Sequence, residues 1–215
     1  TATSGARPCE GGVDLDLTRD TPAPGVVVWQ PRRGYRYGVE VYALAHFALA
    51  SPAASAIDLG CGSGVVALLL ASRGVRVRAI DREPRWVELA RRSAADSELP
   101  VTVELADVRT VTGAHDLAVA NPPWFPPGEP VSPDPWKATA RAMLHGDVGD
   151  FAAAGLRVAP RVCLVTRRER LPDLPTPARI ARVGEKLVLV ELRRDAAPTV
   201  EEDLDLAVAY RRFGR

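Results

Sequence analysis

Lysine is nearly absent from this chain: of 28 basic residues only Lys137 and Lys186 are not arginine. Codon bias in a GC-rich genome is the plain account, so the arginines are not in themselves a functional signal. Neither charge is in excess, because 27 acidic residues leave a formal net charge of +1. That balance excludes a protein that coats nucleic acid with a broadly basic surface, though not a local basic patch. Cysteine is scarce, and Cys9, Cys61 and Cys163 are odd in number and far apart. They make neither a disulfide framework nor a metal site; a reducing cytosol suits them, and no metal is expected. Long apolar runs are missing too. The longest, residues 65–71, is far too short for a bilayer, and no charged-then-apolar leader opens the chain, which starts at Thr1. The expectation is a cytoplasmic protein without membrane contact.

What is present is the composition of a folded protein, 47% hydrophobic and 26% charged, not that of a disordered one. The 215 residues suffice for a domain with a substantial core. No internal repeat, low-complexity tract or linker breaks the chain, so residues 1–215 are expected to form one domain, as monomer or homodimer.

The first 30 residues are punctuated by glycine and proline, with strand-like pieces at 13–17 and 25–29. A polar and aromatic stretch, Gln30-Pro31-Arg32-Arg33-Gly34-Tyr35-Arg36-Tyr37-Gly38, leads into a helix predicted over 39–50 and stopped by Ser51-Pro52. From residue 56 strand and helix alternate. Strands are predicted at 57–59, 75–80, 101–105, 116–120 and 161–166. The intervening helices end at Ser72, closed by Gly74, run from Pro84 to about 95, and start at Asp147 or Gly149 to reach about 158. Seven prolines between Asn121 and Pro135 exclude a helix or central strand there. Segments 178–183 and 186–192 predict a hairpin turning at Gly184-Glu185. The alternation predicts an α/β fold: a doubly wound, mostly parallel, seven-stranded sheet of Rossmann-like kind, finished by a C-terminal antiparallel hairpin. Residues 195–215 are left as a tail, in which 204–208 reads as a late edge strand.

Two motifs carry chemistry. The first is Asp58-Leu59-Gly60-Cys61-Gly62-Ser63-Gly64, set between a strand and a helix. Glycines there permit a tight turn and a close backbone approach to a ligand, and the helix start offers unpaired N–H groups. At the end of the next strand stands Asp81, placed to accept hydrogen bonds from ribose hydroxyls. The glycine spacing is Gly-x-Gly-x-Gly, not that of a dinucleotide pyrophosphate site, and Asp58 precedes it. Carboxylates repel a pyrophosphate but suit a ligand with an amino group and a sulfonium, which favours S-adenosylmethionine over NAD. Asp107, beside Val108 after the third strand, is placed to meet the adenine amino group; a plain turn cap is its other reading.

The second motif is Asn121-Pro122-Pro123-Trp124-Phe125, directly after the fourth strand, where an open α/β sheet has its ligand crevice. The Asn side-chain oxygen and the Pro122 carbonyl can accept hydrogen bonds from a planar amine, aiming its lone pair at a methyl group. The prolines fix these acceptors, and Trp124 offers a flat face for stacking.

Together these motifs resemble the class I S-adenosylmethionine-dependent methyltransferases, specifically those with an Asn-Pro-Pro-aromatic motif that methylate amino groups of bases or amides. The resemblance covers roughly residues 26–194. Within that group the segment 30–37 is similar to that preceding the first core helix in bacterial adenine-N6 methyltransferases acting on valine tRNA. The resemblance implies that Arg36 and Tyr37 border the methionine end of the cofactor, and that Asn121, Pro122 and Trp124 hold a flipped-out adenine. Trp124 stands for the more usual Tyr or Phe, and Glu40 for Asp. About 25 residues precede Val26, too few for the N-terminal helical domain usual in relatives that methylate a release-factor glutamine. Substrate choice is therefore expected in residues 1–37, the proline-rich loop and the C-terminal arginines. Ten basic residues against four acids in 157–194, or Arg32, Arg33 and Arg36, are candidates for a phosphate-contacting patch. A protein glutamine, a small planar metabolite and a non-catalytic cofactor-binding subunit are the alternatives to tRNA. His46 is expected to be structural, His145 to lie at the surface, and His115 has no evident partner.

Overall fold

The computed structural model describes residues 16–123, 147–195 and 198–214. The elements run β1 (Leu17–Ala23), β2 (Val26–Pro31), α1 (Glu40–Ala48), β3 (Ser55–Leu59), α2 (Val65–Ala71), β4 (Arg76–Asp81), α3 (Pro84–Ser97), β5 (Val101–Leu105) and β6 (Leu117–Ala120). Then follow α4 (Val148–Val158), β7 (Arg161–Arg167), a 3-10 turn (Arg168–Asp173), β8 (Arg179–Val183), β9 (Leu187–Arg193), β10 (Val200–Asp203) and α5 (Leu206–Arg212).

Eight strands make the main sheet, in the order β5-β4-β3-β6-β7-β9-β8-β10. All neighbours are parallel except β7–β9 and β9–β8, the two antiparallel contacts that the hairpin creates. Strand residues alternate between two cores, as the period of two requires. Ala56, Leu117, Val119, Cys163 and Val165 face a core shared with α1 and α2. Ile57, Leu59, Ala118, Ala120, Val162 and Leu164 face the other, against α4. Helices thus cover both faces, and each fully buried Leu, Ile or Phe contributes about 1.5–3 kcal/mol. Gly155 lets α4 lie close on the sheet: a Cβ there would stand 2.8 Å from both Val162 methyls.

The hairpin β1–β2 forms a sheet of its own against α3. Two serines one helical turn apart accept from the β2 backbone: Ser97 from the Val27 N–H and Ser93 from the Trp29 N–H, both at 2.9 Å. Each also donates to the carbonyl one turn back in the helix, at 2.7 Å, so a helix face supplies partners for a strand edge. The Arg92 guanidinium sits 3.4 Å from the Trp29 ring centroid and clamps the same contact.

The chain differs from the sequence-based expectation mainly at its C-terminal end. The sheet has eight strands, not seven, because β10 pairs in parallel with β8. Its acidic residues find their partners there: Glu202 reaches Arg179 at 2.6 Å and Asp203 reaches Arg182 at 2.6 Å. The late edge strand expected at 204–208 is instead the start of α5. Asp205 caps that helix by accepting from the Ala207 N–H at 2.8 Å. Residues 206, 209, 210 and 213 recur at helical spacing, and Tyr210 and Phe213 pack on Tyr42 of α1 at 4.9 and 6.1 Å between ring centroids. At the other end, residues 13–15 of the first expected strand lie outside the described residues, and β1 begins at Leu17. Helix α4 takes Asp147 as its cap, in a reciprocal capping box with Asp150. Among the described residues no helix is long and apolar enough to cross a membrane, and no cluster of three or more His, Cys, Asp or Glu is suited to a metal ion.

Candidate functional site

Strands β3 and β6 are neighbours, yet the chain leaves β3 toward β4 on one side and leaves β6 toward β7 on the other. Loops diverging from the carboxyl ends of such a pair open a crevice. The cleft lies there, lined from the ends of β3, β4, β5 and β6. Between β3 and α2 the turn holds Gly60, Gly62 and Gly64 at φ +70°, +54° and +83°, values that side chains rarely adopt. A Cβ at Gly60 would also stand 2.9 Å from the Phe151 ring. The Cys61 N–H donates to the Ile80 carbonyl at 2.9 Å, tying the turn to the end of β4.

Three carboxylates line this cleft. Asp58, on β3, is 2% exposed and accepts from the Ala67 N–H in the first turn of α2 at 3.1 Å. Burial pushes its carboxyl up to about 7, and the nearby Asp81 charge adds to the rise. Asp81, ending β4, accepts from the Gly62 and Glu83 N–H groups, each at 2.9 Å. Burial raises its carboxyl as well, against the pull of those bonds. Asp107 follows β5, in a loop tied to β4 by the Ala106 N–H donating to the Asp81 carbonyl at 2.9 Å. It is both a turn cap and half of an ion pair with Arg109, whose hydrogen bonds hold its carboxyl down to about 2. The Cys61 thiol, also in the wall, is buried and pushed well above its usual range, so it stays protonated.

Most residues singled out from the sequence therefore come together. Tyr37, Asp58, Gly60, Cys61, Gly62, Asp81, Asp107, Val108, Asn121 and Pro123 all border the cleft. Gly64 stands behind it as the N-cap of α2, its α-carbon side toward Ala90. Pro122 is buried beside Asn121, and Trp124, like Phe125, Cys9 and His145, lies outside the described residues. Arg36 is not brought to the wall. Its guanidinium turns into the hairpin, donating to the Thr18 hydroxyl at 2.6 Å and to Asp20 at 2.7 Å. Sequence reasoning missed Tyr35, Arg82, Trp86 and Phe151, which also border the cleft. Tyr35 and Trp86 meet edge to face, with centroids 6.1 Å apart, so the polar segment before α1 packs on the first turn of α3. The one local signal for Trp86 is its place two residues after a helix-opening proline.

His46 and His115 do not border the cleft. His46 sits in α1 with a buried, unpartnered Nδ1, and burial and Arg212 lower its pKa. His115 donates its backbone N–H to the Val158 carbonyl.

The C-terminal arginines are largely engaged inside the protein. Glu191, fully buried, is ringed by Arg193, Arg179 and Arg161 at 2.7, 3.2 and 3.8 Å. Arg161 also donates to the carbonyls of Ala48, which ends α1, and of Ser51 just beyond it, and Arg194 to the Leu156 and Ala159 carbonyls at the end of α4. Arg157 donates to the carbonyls of Val108 and Val111. These five cations, of the ten basic residues between 157 and 194, cap helices and knit strands, which draws them away from the phosphate-contacting patch expected there.

Comparison with known proteins agrees with this geometry. Residues 42–136 match the methyltransferase small domain family. The chain is 33% identical over 129 residues to a tRNA1(Val) (adenine(37)-N6)-methyltransferase of Aeromonas hydrophila, covering 57% of this chain and 54% of that one. It is 31% identical over 109 residues to the ribosomal protein L11 methyltransferase of Burkholderia mallei, covering 47% of this chain and 36% of that one. The chain thus spans about half the length of these curated relatives, or less. Among solved structures it is similar to the 16S rRNA N2 G1207 methyltransferase of T. thermophilus in complex with AdoMet and guanosine, at TM-score 0.57 and 18% identity over 83% of this chain and 50% of that one. Sheet order and cleft position agree with the match of residues 42–136 to the methyltransferase small domain family.

Proposed function

We propose that this chain is an S-adenosylmethionine-dependent N-methyltransferase acting on a planar amino group, with adenine N6 in tRNA as the first reading. The observation that carries it is the gathering of Asp58, Asp81, Asp107 and Asn121 in one cleft at the switch point of the sheet. The donor set fits such a cofactor: carboxylates at three successive strand ends suit an ammonium, a ribose diol and an exocyclic amine, and would repel phosphates. Bound there, S-adenosylmethionine supplies an electrophilic methyl group on a sulfonium.

The chain's own residues do the rest. Asp58 faces the ammonium and sulfonium end, with one oxygen kept on the Ala67 N–H. Asp81 accepts from the ribose hydroxyls, and the αL glycines let the backbone approach the ligand. Asn121 and the Pro122 carbonyl accept the two amine N–H bonds, so the nitrogen lone pair points at the methyl group. Catalysis is positioning together with stabilisation of the positive charge that grows on the amine. No general base is required, because the methylated amine becomes acidic enough to lose its proton to water. The stacking role of Trp124 rests on its place in the motif.

One observation favours a second substrate class. With half of the C-terminal basic cluster engaged internally, a protein amide or small planar metabolite, which needs no phosphate contacts, is the second reading. Methyl transfer from tritium-labelled S-adenosylmethionine onto total RNA, total protein and a metabolite extract separates the two. Label in RNA supports the first reading and label only outside RNA removes it. Asn121→Ala is expected to keep cofactor affinity and lose turnover; turnover that survives overturns the role given to that side chain.

A further inference from the structure

Asp107 is unusually constrained for a half-exposed loop carboxylate. Its Oδ1 accepts from two groups of Arg109, the backbone N–H at 2.9 Å and Nε at 3.0 Å. Its Oδ2 accepts from Nη2 of the same side chain at 2.6 Å. A carboxylate oxygen has two lone-pair positions, so Oδ1 is filled and Oδ2 has one left. Arg82 Nη1 stands 3.8 Å from the same Oδ2, beyond hydrogen-bond distance, and the Asp150 charge on α4 also acts on the Arg109 guanidinium. The loop itself is fixed to β4 through Ala106 and Asp81, and both Ala106 and Val108 stand with Asp107 in the cleft wall.

We propose that Arg109 is a positioning residue: its fork turns Asp107 so that one Oδ2 lone pair faces the cleft, making that wall select an amino group over a carbonyl on the ligand's base. This rests on the reading of the cleft as an S-adenosylmethionine site, with Asp107 at the adenine edge. The carboxyl is ionised at neutral pH with or without that fork, so it only accepts. An exocyclic amine donates to it, whereas the carbonyl of a hypoxanthine base meets it acceptor to acceptor. A planar two-bond pairing is what distinguishes arginine from lysine in such a role.

The test is calorimetric binding of S-adenosylhomocysteine and its hypoxanthine counterpart to the wild-type chain, Arg109→Ala and Arg109→Lys. Wild type is expected to prefer the adenine ligand by at least about tenfold, the worth of a hydrogen bond to a charged group. Arg109→Ala is expected to lose most of that preference while the hypoxanthine ligand binds within about twofold of wild type, and Arg109→Lys, which keeps the charge but not the fork, to fall between. Arg109 is exposed, so folding is not at stake. Full preference in Arg109→Ala, or equal weakening of both ligands, overturns the proposal. If wild type binds neither ligand, the reading of the cleft fails and the proposal falls with it; binding of both without preference overturns the proposal alone.

Discussion

Asp58→Asn is expected to stabilise the fold in a pH-dependent way. Asp58 is almost wholly buried, and its carboxyl is raised from 3.8 to about 7 by desolvation. A raised carboxyl pKa means that the folded state holds its proton more tightly than the unfolded chain. Its stability contribution is therefore complete below the unfolded value and is lost as pH rises through the folded one. A tenfold difference in proton affinity is worth about 1.4 kcal/mol, so ionising Asp58 costs the fold at most about 4 kcal/mol by pH 8. Asparagine keeps an acceptor for the Ala67 N–H and carries no charge. Urea unfolding of both proteins at intervals from pH 4 to pH 8 reads the difference. The variant should match wild type near pH 4 and gain up to about 4 kcal/mol by pH 8, while losing cofactor affinity, as expected where a functional group is held against the fold's interest. Asp81 lies close enough for its charge to act on Asp58, so the difference reports Asp58 together with its coupling to Asp81. Parallel pH profiles would refute the reasoning.

Two further substitutions probe how the cleft is built. Gly155→Ala forces a methyl against the branched Val162 side chain; overpacking of about 1–3 kcal/mol should outweigh the helix-propensity gain of about 1 kcal/mol, and a raised melting temperature would contradict this. Ser97→Ala removes the partner of the Val27 N–H behind the hairpin. The cost should be about 1–3 kcal/mol, with hydrogen exchange at Val27 accelerated more than in the central strands; unchanged protection at Val27 would show that the serine is not what holds the hairpin.

The parts of the fold written in local chemistry are legible in the sequence. Glycines 60, 62 and 64 need the left-handed region, Gly74 closes a helix, and Pro84 opens one, and the structure has each in that role. What is not legible depends on partners distant in sequence. The Val-Glu-Glu-Asp segment of β10 falls in the tail left unassigned, because its acids find partners only once Arg179 and Arg182 of β8 lie beside it. Helix α5 does carry a local signal, Asp205 followed by apolar residues at helical spacing, and the short alternation at 204–208 masks it. In the cleft, the three carboxylates and Asn121 follow from strand ends, which the sequence pattern marks. Trp86, Tyr35 and Phe151 follow from how α3, the segment before α1 and α4 pack, which no spacing records. The arginines are the clearest lesson. Their clustering suggests a phosphate surface, whereas buried Glu191 and the carbonyls at helix ends account for several of them.

The central claim is that the cleft between β3 and β6 is an S-adenosylmethionine site in which Asp81 takes the ribose. Titration calorimetry of the intact chain with S-adenosylmethionine and with NAD, repeated on Asp81→Ala, tests it most directly. The expected result is one S-adenosylmethionine per chain, no NAD binding, and binding lost in the variant. NAD binding in place of S-adenosylmethionine, or undiminished S-adenosylmethionine affinity in Asp81→Ala, would contradict it.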